Sequence, residues 1–360
     1  MVFLRVFVIG TFDPVATIKF HFGRQLATTA PMETLGVGLI SCGVMGSDLA
    51  RNLVKIQRAR LIAVCDEIED AAKKLAAELD VPHETEYRRL LARRDLDAVI
   101  IASPCFLHRE MVEAAAAAGK QIYCEKPLGL NVADCNAMIA ATKNARVKLM
   151  VGHVLRYHPQ QRRIKEWVAS GELGAPTCMS VHRLGGGWSG VWAKHWRNQR
   201  AQCGGVLLEV NIHEIDWMRW VCGDVVRVQA IGKNFISPNL DYEDIILLTM
   251  QFANGAFGLL HSSIASAQGG YGGQLDLVEG SISFPQLWGN TLVVSKTAAK
   301  EKITLELPKT DPPVQQELTD FVESVLNDRQ PPITGADGRA AVAIAEAAYQ
   351  SIATGKPVAL

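Results

Sequence analysis

The stretch between residues 36 and 66 constrains the fold most, because four patterns follow one another there in a fixed order. They are an apolar run, a glycine-bearing turn, a helical pattern and a second apolar run that ends on an acid: Val37–Ile40, Ser41–Gly46, Ser47–Ile56 and Leu61–Asp66. Apolar runs this short are typical of strands buried in a parallel sheet. Strand, glycine turn, helix, strand and acid is the order that binds a dinucleotide. The stretch therefore predicts a dinucleotide-binding βαβ unit.

The turn supplies the groups that would contact the phosphates. Gly43 lets the backbone approach the pyrophosphate, and Gly46 lets the helix pack closely against the strand. The amide groups at the start of the helix face the phosphates, where the helix dipole favours negative charge. Ser41 replaces the first glycine of the G-x-G-x-x-G pattern, at the cost of strain if its φ is positive. The predicted cofactor-binding residues of the turn are Ser41, Cys42, Gly43, Val44, Met45 and Gly46.

Asp66 indicates which dinucleotide is bound. It lies twenty residues after Gly46, where a carboxylate can accept hydrogen bonds from the adenosine ribose hydroxyls. Asp66 and its neighbour Glu67 would repel a 2′-phosphate, and no arginine stands beside them. The sequence therefore favours NAD over NADP.

Composition limits the partners and the compartment. Lysine plus arginine and aspartate plus glutamate both number 37, so no net charge attracts the chain to nucleic acid or to an anionic membrane. No apolar run approaches the roughly 20 residues of a membrane-spanning helix. The eight cysteines are scattered and form no C-x-x-C pair, which argues against a disulfide framework and against a metal site. We expect a cytoplasmic protein without a structural metal.

The pattern of predicted secondary structure changes near the middle of the sequence. Helical and strand patterns alternate up to about residue 155, whereas strands separated by Gly or Asn-Gly turns dominate after Pro176. The hairpin signal Asn254-Gly255 is an example of such a turn. The expected fold class is α/β, with an N-terminal doubly wound parallel sheet and a C-terminal α+β domain that has a large open, mostly antiparallel sheet. The predicted divisions are a disordered or mis-started extension over 1–34 (with Met32 as the functional start), a cofactor-binding domain over 35–155, a substrate-binding and oligomerisation domain over 156–340, and a C-terminal helix and tail over 341–360 that pack back on the core.

Chemistry-bearing residues follow the predicted strands. Lys126, in Glu125-Lys126-Pro127, stands at the carboxyl end of a parallel strand, where ligands bind in doubly wound sheets. The turn at Ser103–His108 follows the neighbouring strand and is placed to line the nicotinamide side. If residues 204–216 form one helix, then Glu209, His213 and Asp216 share a face, and a carboxylate one turn away can orient the imidazole. The plainer alternatives are a solvated lysine and a structural histidine.

A tryptophan-rich insertion is the predicted substrate-recognition segment. Trp188, Trp192 and Trp196 are spaced by four residues, and Lys194, His195, Arg197 and Arg200 are interleaved with them. Indole faces suit the apolar faces of sugar rings, while a core-facing aromatic stripe is an equally good interpretation. His153, Arg156 and Tyr157 follow the last parallel strand and are further candidates for the cleft.

These motifs together resemble the glucose-fructose oxidoreductase, inositol dehydrogenase and rhizopine-catabolism (Gfo/Idh/MocA) family, over essentially all of residues 35–360. The resemblance implies a Rossmann domain, an open-faced sheet domain that often mediates dimers or tetramers, and nicotinamide-dependent redox chemistry on sugars or cyclitols. It implies that Lys126, His213 and Glu209 are catalytic. Glu209 stands where many members have aspartate, and it would orient His213 or a substrate hydroxyl. Cys105 departs from a frequent asparagine. The remaining predicted cofactor-binding residues are Asp66, Ser103, Pro104, His108, Glu125 and Lys126, and the predicted substrate-binding residues are Lys126, Arg156, Trp192, Trp196, Arg197, Asn211 and His213.

Three functions are compatible with this resemblance. The leading hypothesis is a dehydrogenase in which a secondary alcohol gives its proton to His213 and its hydride to NAD, while Lys126 stabilises the alkoxide. The second is a hydrolase or lyase that uses bound NAD for transient oxidation at C3 followed by elimination, with the same two residues. The third is a non-catalytic NAD or sugar sensor, against which the retained Lys126–His213 pair argues. We expect a homodimer or homotetramer formed through the C-terminal sheet.

Overall fold

The computed structural model describes residues 33–185, 187–189, 194–286, 288–298 and 301–360. The predictions for the extension before residue 33 and for Trp192 lie outside these residues.

The N-terminal half is built on a six-stranded sheet in which every neighbouring pair of strands is parallel. Its strands are β1 (Leu35–Ile40), β2 (Ala59–Cys65), β3 (His83–Glu84), β4 (Ala98–Ile101), β5 (Gln121–Glu125) and β6 (Leu149–Gly152). Their spatial order is β3-β2-β1-β4-β5-β6, so the chain reverses its direction of winding between β1 and β4. Ligands bind outside the carboxyl ends of the strands at such a switch point. Asp66 and Lys126 both follow strands at this edge.

Five helices connect the parallel strands, namely α1 (Val44–Leu53), α2 (Glu69–Leu79), α3 (Tyr87–Leu91), α4 (His108–Ala117) and α5 (Val132–Ala145). Four agree with the sequence patterns to within a few residues. The predicted start of α1 was wrong, because the helix begins at Val44 inside the glycine turn and not at Ser47. Gly43 precedes it in extended conformation and is its N-cap residue, so the first amide groups of α1 belong to the turn itself.

The C-terminal half contains a nine-stranded sheet. Its strands are β7 (Pro176–Leu184), β8 (Val225–Lys233), β9 (Ile245–Phe252), β10 (Phe257–Ser263), β11 (Gly270–Leu277), β12 (Gly280–Phe284), β13 (Thr291–Lys296), β14 (Glu301–Glu306) and β15 (Val358–Ala359). The order is β14-β13-β12-β11-β7-β10-β9-β8-β15. Only the pair of β7 and β10 is parallel among these described strands, so the sheet is mostly antiparallel, as predicted. The Asn254-Gly255 turn joins β9 to β10, which confirms the hairpin.

Among the described residues, six further helices lie before, between and after these strands. They are α6 (Pro159–Ser170), α7 (Arg200–Cys203), α8 (Val206–Glu209), α9 (Ile212–Cys222), α10 (Pro313–Leu326) and α11 (Gly335–Thr354). Helix α10 packs on α1, and α11 packs on both α5 and α9. The end of the chain therefore contacts elements of both sheets, and one buried core runs through both halves.

One face of the nine-stranded sheet is covered and the other is open. Along β9, residues alternate between buried and exposed, as in a sheet with one face on the core. Apolar side chains occupy part of the exposed face, including Ile231, Phe257 and Leu259. No helix among the described residues is long and apolar enough to cross a membrane.

Candidate active site

The turn after β1 has the geometry that a bound pyrophosphate needs. A Cβ on Gly46 would lie 1.8 Å from the carbonyl oxygen of Ser41, so only glycine allows this approach of helix to turn. A Cβ on Gly43, in contrast, would meet no atom nearer than the Ser41 Oγ at 4.0 Å. No side chain caps α1, and no acid stands in its first turn. Open space in front of uncapped helix amides fits the phosphates of a dinucleotide.

Ser41 adopts the conformation that the missing glycine would favour. Its φ is 78°, and its amide donates a hydrogen bond to the Cys65 carbonyl at 2.7 Å. A left-handed conformation is costly for a residue with a Cβ. The sequence predicted strain at Ser41 if its φ were positive, and the observed φ is positive.

We expect Ser41→Gly to stabilise the chain by about 1 kcal/mol, because glycine adopts positive φ without steric strain. Urea unfolding followed by circular dichroism measures the difference. The matched control is Ser47→Gly, within α1, where glycine should destabilise. Equal effects of the two substitutions would show that the turn is not strained.

Asp66 is held against the same turn. One carboxylate oxygen accepts a hydrogen bond from the Cys42 amide at 2.7 Å, and the other accepts one from the Ile68 amide at 2.9 Å. The carboxylate therefore has a fixed place at the carboxyl end of β2, beside the first turn of α1. A carboxylate oxygen has more than one lone pair, so these bonds leave acceptor capacity for ribose hydroxyls.

The loop after β4 is joined to the loop after β5 by His108. Its ring nitrogens lie 2.9 Å from the carbonyl oxygens of Ser103 and Pro127, and the side chain is buried. A neutral imidazole can donate its one N–H to either carbonyl, so His108 joins the two loops, and its contact with a cofactor stays a prediction. Ser103 differs, because its Oγ is buried and lacks a hydrogen-bond partner among the described residues. A bound ligand would satisfy it.

Lys126 projects from the end of β5 towards the C-terminal half. The peptide bond to Pro127 is cis. The ammonium donates a hydrogen bond to the backbone carbonyl of Glu209 at 2.9 Å. This contact brings the lysine from one sheet to the segment that carries His213.

The predicted single helix over residues 204–216 was wrong. Helix α8 ends at Glu209 and α9 begins at Ile212, with Asn211 between them. Asparagine side chains compete with the backbone for hydrogen bonds and interrupt helices. Here the Asn211 amide group donates to the Glu214 carboxylate at 3.0 Å, and its oxygen accepts from the Ser262 hydroxyl at 2.5 Å.

The break changes the role of Glu209. Its carboxylate accepts a hydrogen bond from Arg197 Nε at 2.7 Å and does not orient His213. The Arg197 guanidinium also stands 4.2 Å from the centre of the Trp196 ring, which packs edge-on against Phe106. The Glu209 carboxylate therefore holds the tryptophan-rich segment, which contacts the loop after β4 through Trp196, while the Glu209 carbonyl holds Lys126.

His213 is a neutral imidazole close to positive charge. Burial lowers its pKa well below the ordinary value, and the charges of Lys126 and Arg183 lower it further. Its Nδ1 is buried and has no hydrogen-bond partner among the described residues. Lys126 bonds the carbonyl of Glu209, which lies four residues before His213 in the chain, so the structure brings the lysine to the segment that carries the histidine.

Two predicted substrate-binding residues have other partners. Arg156 is buried and donates two hydrogen bonds to the Asp216 carboxylate, at 2.8 and 2.6 Å, and a third to Asp337 at 3.2 Å. These contacts join the loop after β6 to α9 and α11, and they account for its charge without a ligand. Asn211 is likewise fully buried in the contacts described above. Both side chains thus have protein partners, and their contact with a substrate stays a prediction.

The sequence reasoning missed the residues that flank His213. Arg183 donates to the Val210 carbonyl at 3.2 Å and to Glu214 at 3.1 Å, and Tyr271 hydrogen-bonds the same carboxylate. His153, which was considered for the cleft, is fully buried, with Asp216 4.0 Å from its Nδ1. The alternation of polar and apolar residues along β7 does not distinguish Arg183. Its partners are distant in the sequence, so no local pattern indicates them.

The fold and site together define a class of protein, the nicotinamide-nucleotide oxidoreductases with a Rossmann sheet and a second sheet domain. Residues 35–153 match the profile described as "Oxidoreductase family, NAD-binding Rossmann fold" and residues 161–283 match the "GFO/IDH/MocA C-terminal domain". An inositol 2-dehydrogenase of Saccharopolyspora erythraea is 30% identical over 338 residues, which cover 91% of this chain and 96% of that protein. The chain belongs to the Gfo/Idh/MocA family of oxidoreductases.

Two other similarities bear on the chemistry. A 2,7-anhydro-N-acetylneuraminate hydratase of Mediterraneibacter gnavus is 31% identical over 234 residues, which cover 64% of this chain and 61% of that protein. The solved structure of an aldose–aldose oxidoreductase from Caulobacter crescentus, complexed with glycerol, has a TM-score of 0.84 and 25% identity. The similarity covers 91% of this chain and all (100%) of that one. The proteins to which the chain is similar therefore include both redox enzymes and a hydratase.

Proposed function

We propose that this protein is an NAD-dependent oxidoreductase that transfers a hydride between nicotinamide and a secondary hydroxyl of a sugar, a sugar derivative or a cyclitol. The observation that carries the proposal is the meeting of Lys126, from the parallel sheet, with the segment that holds the neutral His213. An ammonium and an unprotonated imidazole are the pair that alcohol oxidation needs. The inositol dehydrogenase and aldose oxidoreductase relatives support the substrate class.

The chain's own residues perform the acid–base part of the reaction. Bound NAD supplies the hydride acceptor. His213 accepts the hydroxyl proton of the substrate, and it can do so because its lowered pKa keeps the imidazole neutral. Lys126 stabilises the negative charge that develops on the substrate oxygen. The Glu209 carbonyl positions the Lys126 ammonium for this task.

NAD is the proposed cofactor, because Asp66 fixes negative charge beside the turn. We expect Asp66→Ser to raise the ratio of kcat/KM with NADP to that with NAD at least about tenfold, since the repulsion of the 2′-phosphate is removed. Steady-state kinetics with both cofactors measures the ratio. The control is Asp70→Ser on α2, an exposed acid in the first turn of that helix. An unchanged ratio in Asp66→Ser would mean that the ribose is read elsewhere.

The second candidate is bond cleavage without net redox change, in which NAD oxidises the substrate transiently at C3 before elimination. The hydratase relative favours it, and the same Lys126 and His213 would serve both reactions. A panel of hexoses, inositols, sugar acids and anhydro sugars, incubated with NAD, separates the two. Stoichiometric NADH with a ketone product supports the oxidoreductase, whereas cleaved or hydrated product without NADH supports the alternative.

The proposal extends to assembly and compartment. The exposed apolar residues on the open face of the nine-stranded sheet suit a contact between two copies of the chain, as a homodimer or as half of a homotetramer. All eight cysteines are free and seven of them are buried, as suits a reducing cytoplasm. Sedimentation velocity at micromolar concentration would give a single dimeric or tetrameric species, and a monomer would contradict the assembly.

A further inference from the structure

A row of buried polar groups lies directly behind Lys126. Tyr123 and Glu125 are two residues apart on β5, so their side chains lie on the same face. The Tyr123 hydroxyl oxygen is 2.9 Å from a carboxyl oxygen of Glu317, which comes from α10. The order of groups is therefore Lys126, Glu125, Tyr123 and Glu317, and none of the last three has a role in the proton transfer described above.

Gly152 makes room for this arrangement. It pairs with Glu125 across β5 and β6. A Cβ at Gly152 would lie 2.7 Å from the Tyr123 hydroxyl and 3.1 Å from a carboxyl oxygen of Glu125. Both oxygens therefore face the same small space, and any larger residue at this position would separate them. The phenol stands between two carboxyl groups.

Little of this row is exposed to solvent. Tyr123 is fully buried, and Glu125 and Glu317 retain only 8% and 1% of their exposure. Neither carboxyl forms an ion pair with a described lysine or arginine. Two ionised carboxylates around one phenol would be strongly unfavourable in such a site. At least one of the two carboxyl groups must therefore be protonated.

The surroundings decide where that proton resides. Burial raises the pKa of Glu125 to about 7, although the adjacent Lys126 charge and the Tyr123 hydrogen bond lower it. Burial and the charge of Glu125 raise the pKa of Glu317 well above its ordinary value. Glu317 is thus the protonated member, and Glu125 is the one that ionises near neutrality. The other charged or titratable groups that act on the two carboxyls are Glu209, Arg156, Asp216 and Tyr157.

We propose that Glu317 and Tyr123 are positioning residues that act on the active site through Glu125. The protonated carboxyl of Glu317 donates a hydrogen bond to the Tyr123 oxygen, and the Tyr123 hydroxyl then donates to Glu125. This fixed direction stabilises the ionised form of Glu125 next to Lys126. The placement of the protons is independent of the proposed function, and only the predicted effect on the reaction rate rests on that function.

The rate of alcohol oxidation should depend on pH because the charge of Glu125 depends on pH. Ionised Glu125 offsets the Lys126 charge, which otherwise lowers the proton affinity of His213. The base therefore accepts the substrate proton more readily once Glu125 is ionised. Alcohol oxidation should accelerate as pH rises through about 7, the pKa of Glu125. No covalent bond between heavy atoms changes in this step.

Infrared difference spectroscopy of the full chain, labelled with ¹³C at glutamate carboxyls, tests the proton placement without substrate. Two protonated glutamate bands should remain at about pH 6, where ordinary glutamates are ionised, one that disappears with a midpoint near 7 and one that persists above it. Glu317→Gln should lose the persistent band and keep the midpoint, because the amide still donates to Tyr123. Tyr123→Phe should move the midpoint upward, on the order of one pH unit, because Glu125 loses its hydrogen-bond donor.

The rate profile is the second measurement. The pH midpoint of kcat for oxidation should follow the infrared midpoint in the wild type and in both variants. The absence of a persistent glutamate band, or an unchanged midpoint in Tyr123→Phe, would overturn the proposal even in an active oxidoreductase. The chain could instead show both infrared results but reduce no NAD with any polyol. That outcome would support the hydrogen-bonded row and contradict the proposed function.

Discussion

Lys126→Met should lower kcat for sugar or cyclitol oxidation by roughly 10²–10³ while leaving the affinity for NAD within a few-fold of the wild type. Methionine keeps most of the volume of the lysine stem but removes the ammonium. The hydrogen bond to the Glu209 carbonyl and the charge that stabilises the developing alkoxide are both lost. Turnover measured by NADH absorbance and NAD binding measured by calorimetry separate the two effects.

Lys120→Met is the matched control for this substitution. The Lys120 ammonium donates to two backbone carbonyls, those of Arg93 and Leu96, at the opposite end of β5. Its loss should reduce stability without a specific loss of turnover in the folded protein. Wild-type kcat in Lys126→Met would remove the lysine from the mechanism, and equal losses in both variants would point to a general effect on the sheet.

His213→Asn should have the second large effect, a fall in kcat of about 10²–10⁴ with NAD affinity retained. Asparagine preserves a polar side chain but cannot accept the substrate proton. Burial and the neighbouring positive charges hold the pKa of His213 well below its ordinary value, so the imidazole is neutral at neutral pH. The ionisation near pH 7 in the rate profile should therefore belong to Glu125 and not to His213, and it should move in Tyr123→Phe.

His261→Asn gives the comparison for the second substitution. His261 lies on β10 and pairs with His182 on β7 and Leu247 on β9, away from the catalytic segment. It should keep wild-type turnover. Added imidazole should restore part of the activity of His213→Asn and none of that of Lys126→Met. Equal activity in His213→Asn and the wild type would assign proton transfer to another group.

The parallel half of the fold could be predicted from sequence because its signals are local. Each strand is a short apolar run and each helix has its own period, so the order of elements from β1 to β6 follows from neighbouring residues. Ser41 illustrates the same point at one residue. Its position in the glycine pattern predicted strain for a positive φ, and the structure shows that φ.

The site was less predictable because its contacts join distant residues. Helical spacing placed Glu209 and His213 on one face, but the chain breaks at Asn211, whose side chain bonds Ser262, fifty-one residues away. Arg156 follows a strand in the position of a ligand-binding residue, yet Asp216 and Asp337 use its charge. No spacing rule indicates such partners.

The row behind Lys126 shows the limit most clearly. Tyr123 and Glu317 are separated by 194 residues and belong to different halves of the chain. In the sequence, a tyrosine within an apolar strand and a glutamate in an amphipathic helix are both ordinary. Their significance depends on the packing of α10 against the parallel sheet, which only the tertiary structure provides.

A crystal structure of the chain with NADH and a non-reacting polyol tests the central claim most directly. We expect the nicotinamide C4 to lie beside both the Lys126 ammonium and the His213 ring, with one polyol hydroxyl within about 3 Å of each. A nicotinamide bound elsewhere, or a polyol hydroxyl that meets neither side chain, would contradict the claim that these two residues carry the chemistry.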